Sequence, residues 1–131
     1  MSYKTSINIF LWLLIAIVLF HISIIAKLIP YDIAWGGRLQ SDSEMYVFET
    51  ISILINLFLV FILLMKGNYI KFQFKEKTIN AILWGFLVLF ILNTIGNIFA
   101  KTNLEKLFAI MTSFFAILIW FILKGKTNKI S

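Results

Sequence analysis

Four long apolar runs divide this chain, over about residues 7–29, 45–65, 79–100 and 104–123, and each has the length of one bilayer crossing. A helix rises about 1.5 Å per residue, so roughly 20 residues cover a hydrocarbon core of ~30 Å. In that solvent no backbone N–H or C=O can turn to water, which restricts spanning structures to helices and closed barrels. Unbroken apolar runs of this length, without strand-like alternation, select the helix. The expected fold is an all-α integral membrane protein. One domain, residues 1–131, would form an antiparallel bundle of four transmembrane helices, with a short outer loop between helices 1 and 2.

Composition agrees with the pattern. Hydrophobic residues make up 61% of the 131 and charged residues only 14%, against about a quarter charged in an ordinary globular domain. The chain has no cysteine, which removes disulfides, thiolate metal sites and cysteine nucleophiles together. The net charge of +6 comes from basic residues that flank the apolar runs. They gather into no patch, so membrane topology accounts for them and nucleic acid is excluded as a partner. The first run is longer than a signal-peptide core and no small-x-small site follows it, so it reads as a retained helix.

Local signals fix the boundaries. Ser41-Asp42-Ser43-Glu44 and Thr102-Asn103-Leu104-Glu105 both have the form of capping boxes, in which a hydroxyl and a carboxylate satisfy free amides at a helix start. Pro30 closes the first helix, and Gly36-Gly37 lets the following segment turn. With the N-terminus inside, Lys4, Lys66, Lys71, Lys75, Lys77, Lys124, Lys126 and Lys129 lie on one side, and Lys27, Arg38, Lys101 and Lys106 on the other. The basic-residue bias therefore places both termini in the cytoplasm of a cell-membrane protein.

A helix that merely spans needs no polar group at depth, so those present carry information. His21 and Lys27 fall in the outward part of helix 1, Lys27 near enough to its end to snorkel to the headgroups. Glu49, Ser52 and Asn56 follow at i, i+3 and i+7 on one face of helix 2. A carboxylate there is costly unless paired or protonated. Asn93 and Asn97 share a face of helix 3, where Gly96 would permit close helix approach. Thr112 and Ser113 lie between Ala109 and Ala116 in helix 4. By contrast, residues 57–64, 82–90 and 114–123 are almost wholly aliphatic or aromatic. These runs predict a sealed cytoplasmic half and a polar chamber opening outward, which disfavours a channel.

The segment Tyr31 to Arg38 adds Trp35, two glycines and the sole arginine of the chain, a guanidinium fitted to a carboxylate or phosphate and a candidate lid. No phosphate loop, no HExxH and no Ser/His/Asp set occurs, and His21 is the single histidine, so no metal and no cofactor is expected. The leading expectation is a small or lipid-like ligand held in the outward chamber. Its binding residues would be His21, Trp35, Arg38, Glu49, Asn56, Asn93, Asn97 and Thr112. With His21 and Glu49 as catalytic candidates, the same chamber would serve cofactor-free acid/base chemistry on a lipid. A third reading is a helper or immunity-type subunit whose polar faces meet a membrane-protein partner. Membrane lipids and a second copy of the chain complete the expected partners.

Overall fold

The computed structural model describes residues 2–31, 40–99 and 103–125, and all its regular structure is helical. Helix α1 spans Tyr3–Ile25, α2 Asp42–Lys66, α3 Glu76–Ile98 and α4 Asn103–Gly125. All four are long and apolar enough to cross a membrane. The segment holding Trp35 and Arg38, and Thr102 of the second capping box, lie outside the described residues.

The helix ends show why the chain breaks where it does. Ser2 and Ser41 sit in extended backbone and accept from the amides of Thr5 and Glu44, each at 3.2 Å. Glu44 Oε1 accepts from the Gln40 amide at 2.8 Å, so the first capping box forms around α2. Helix α1 stops at Ile25, short of the expected Ile29, and Pro30 is not what stops it. Lys27 adopts φ 64°, its amide donates to Ile24 O and the Leu28 amide donates to Ser23 O. That is a Schellman ending, in which a left-handed residue satisfies the last carbonyls. Asn68, at φ 60°, ends α2 in the same way.

Contacts between elements set their order. At one end Lys27 Nζ donates to Asp42 Oδ2 at 2.6 Å, tying the end of α1 to the start of α2. The Asp42 carboxylate, by hydrogen bond and then by charge, raises the lysine above its ordinary 10.5. At the opposite end Lys4 Nζ donates to Gly67 O and the Tyr69 hydroxyl donates to Asn8 Oδ1. Phe10 meets Phe115 at 4.9 Å and Phe20 meets Phe108 at 5.6 Å, seating α4 on α1. Thr94–Thr112 and Trp84–Trp120 join α3 to α4, the most extensive interface of all. Helices α2 and α3 share the thinnest of the four neighbouring interfaces.

The main core occupies the half that holds the start of α1 and the end of α2. Ile7, Phe10, Leu14, Leu59, Ile62, Leu63, Leu83, Phe90, Phe115, Leu118, Ile119 and Ile122 are buried there in one cluster. The half with the end of α1 and the start of α2 has only a small separate cluster around Ile24 and Met45. Apolar packing is thus concentrated in the half the sequence marks as sealed. That half also closes on a polar tie absent from the sequence reading. Lys66, 3% exposed, donates to Asn80 Oδ1 at 2.5 Å and lies 3.9 Å from Glu76.

Candidate functional site

Glu49 lies two turns inside α2, on the stripe that faces α1, and none of it is exposed. His21 lies just over one turn from the end of α1. Because the start of α2 packs beside the end of α1, the two meet, and His21 Nδ1 hydrogen-bonds with Glu49 Oε1. With the proton on Nδ1 the imidazole donates, and the pair is satisfied whether or not the ring carries a second proton. The His21 ring rests edge-on against Phe20 at 5.8 Å, and Phe20 in turn rests on Phe108 of α4. Apolar contacts therefore hold the imidazole in place while 15% of its side chain stays accessible. Its second nitrogen, Nε2, makes no hydrogen bond among the described residues. The arrangement is an enclosed carboxylate orienting an imidazole whose far nitrogen is available to a third group.

The other candidate residues divide among several environments. Asn56 is half-buried, and its Nδ2 donates to Ser52 O at 2.7 Å, one turn back on its own helix. Thr112 Oγ1 meets Thr94 Oγ1 at 2.8 Å and also lies within reach of Phe108 O at 3.0 Å, so it serves the α3–α4 interface. Asn97 is half-buried and Asn93 exposed on α3. A Cβ built at Gly96 would meet nothing within 4 Å, so no helix approaches there, contrary to the close packing expected of that glycine. The structure thus joins His21 to Glu49, and among the described residues the side-chain hydrogen bonds of Asn56 and Thr112 run elsewhere than to that pair. Ser113 returns its hydroxyl to Ile110 O at 2.7 Å.

Several residues carry more than the sequence reading gave them. Thr94 is the hydroxyl partner of Thr112, and a threonine between two asparagines on adjoining helix faces was the signal available. Glu105, read as a capping residue, is buried. Lys66, read as a topological charge, is enclosed against Asn80. Among the described residues no group of three or more His, Asp or Glu side chains is placed to hold a metal ion. Comparison with protein-family models, with curated proteins and with solved structures finds no match to this chain.

Proposed function

We propose that the chain is a small multi-pass membrane protein, an antiparallel bundle of four spanning helices, that binds a small or lipid-like ligand at the His21–Glu49 pair. Both termini lie in the cytoplasm of a cell-membrane protein, and the pair lies in the outward half. The lysine bias supports that orientation. Contacts of the start of α1 with the end of α2, and of Thr94 with Thr112, support the antiparallel arrangement. The observation that carries the binding reading is a fully enclosed carboxyl bonded to the one histidine of the chain, whose Nε2 has no partner among the described residues. Ionisable groups inside a spanning helix are expensive, and those retained mark ligand or proton sites by default. The test is mass spectrometry of small molecules that copurify with the protein. A species present with wild type and missing from Glu49→Gln and His21→Ala is the expected result; identical species in all three would overturn the reading.

The Nδ1–carboxyl contact also favours a second reading, acid/base chemistry on a lipid. A carboxylate on Nδ1 orients an imidazole so that Nε2 can exchange a proton with a substrate. Conversion of vesicle lipids by wild type and not by His21→Ala, followed by mass spectrometry, separates turnover from binding alone.

A further inference from the structure

The loop between α2 and α3 brings aromatic rings and ammonium groups together at the end of the bundle opposite His21. Tyr69, Phe72 and Phe74 are interleaved there with Lys71, Lys75 and Lys77. Phe72 is 61% exposed and Tyr69 44%. Phe72 is nevertheless held in place, its ring stacked on Phe61 at 6.0 Å and set edge-on to Phe74 at 5.6 Å. Phe61 stands five residues before the end of α2, about 8 Å along the helix axis. The loop therefore folds back along the flank of a spanning helix. An aromatic ring exposed at that level meets the boundary between headgroups and acyl chains, the layer that suits it best.

Charge gathers at the same end. Lys4 Nζ donates to Gly67 O and lies 4.3 Å from the centre of the Tyr69 ring, which ties the start of α1 to the loop. A Cβ at Gly125 would come within 2.8 Å of Tyr3 Cβ, so the end of α4 converges on the same place. Among the described residues, Lys4, Lys66, Lys71, Lys75, Lys77 and Lys124 stand here against the single carboxylate of Glu76. Lys4 and Lys66 are engaged by Gly67 O and Asn80, and Lys124 lies over the Trp120 ring at 5.0 Å. Lys71, Lys75 and Lys77 are exposed and make no side-chain hydrogen bond or ion pair among the described residues. Membrane topology accounts for the number of these lysines. It does not account for a loop folded back on the span with an exposed ring between two unengaged ammonium groups.

We propose that Lys71 and Lys75, on either side of Phe72 in the loop, form a site for an anionic phospholipid of the leaflet at this end. The two ammonium groups take the headgroup phosphate as point charges, and Phe72 packs against the first carbons of an acyl chain. Charge alone would equally suit free phosphate or an acidic polypeptide, but neither offers anything to the exposed ring, whereas a phospholipid satisfies both parts of the loop. The site is separate from the His21–Glu49 pair and does not depend on what that pair binds.

The test titrates the full chain, in dodecylmaltoside micelles, with phosphatidylglycerol or with phosphatidylcholine of identical acyl chains, and counts bound lipid by native mass spectrometry. Wild type is expected to bind phosphatidylglycerol in preference. Lys71→Gln/Lys75→Gln should weaken phosphatidylglycerol binding about tenfold to thirtyfold, Lys71→Arg/Lys75→Arg should keep it, and Phe72→Ser should lower binding of both lipids. Equal binding of the two lipids by wild type would overturn the site. So would a preference that survives the glutamines, is lost with the arginines as well, or falls as far in Lys106→Gln at the opposite end. Displacement of phosphatidylglycerol by glycerol phosphate or by polyglutamate at the same concentration would overturn its assignment to a phospholipid.

Discussion

Removing the Glu49 carboxyl and removing the His21 imidazole should not have independent effects. Each group hydrogen-bonds the other, and the Glu49 carboxyl is fully enclosed, so loss of either removes an interaction of its partner. In a double-mutant cycle of Glu49→Ala and His21→Ala, followed by unfolding in detergent, a coupling of about 1–2 kcal/mol is expected, and additivity within about 0.5 kcal/mol would contradict the pairing. The Thr94–Thr112 contact should be worth less, about 0.6 kcal/mol, with the double valine variant no worse than either single one. Lys27 gives a pH-dependent reading. Asp42 holds its folded pKa above 10.5, so the tether between α1 and α2 is fully present below pH 10.5 and fades only as pH rises through the raised value. A 15N titration of the Lys27 ammonium in micelles should show a midpoint above 10.5; a midpoint at or below that value would contradict the contact. At this scale the sequence exposed His21 and Glu49, because an ionisable side chain inside an apolar run demands an explanation wherever it points. It did not expose which partner each amide would take. Asn56 turned back to Ser52 O and Thr112 took Thr94, choices that depend on local helix geometry and on the azimuth of a neighbouring helix.

The helices themselves were legible because lipid leaves the backbone little alternative to satisfying itself within each span. Their ends were less so. The sequence offers Pro30 as the stop for α1, but Lys27 ends the helix by taking a left-handed conformation that favours glycine or asparagine. Nothing about a lysine announces that. At α2 the same ending falls on Asn68, a residue suited to it. Lys66 was obscured for another reason, since a lysine at a span end is ordinarily a topological signal. Its near-complete burial against Asn80 makes it a tie between α2 and α3. Asn80→Leu alone should therefore destabilise by about 1–3 kcal/mol, and Lys66→Met added to it should restore part of that loss, as expected when a buried polar pair is replaced entire. No restoration in the double variant would show that the two are not energetically joined.

Across the whole molecule, apolar packing and polar depth are segregated. The large core lies between the start of α1 and the ends of α2 and α4, under the end rich in lysine, while His21, Glu49, Asn93 and Asn97 occupy the half with the small Ile24–Met45 cluster. Sequence runs of pure aliphatic and aromatic residues foretold where the core would thicken. They could not foretell that the bundle would be thinnest along α2–α3, since that depends on how four helices share neighbours. The proposed orientation turns the histidine–glutamate half of this axis outward. Its most direct test exploits the absence of cysteine: Ser41→Cys and Lys75→Cys, each exposed and at opposite ends of the bundle, are treated in intact cells with a membrane-impermeant maleimide. Labelling of Ser41→Cys in intact cells, with Lys75→Cys labelled only after permeabilisation, is the predicted result. Labelling of Lys75→Cys alone, or of both alike, would contradict it.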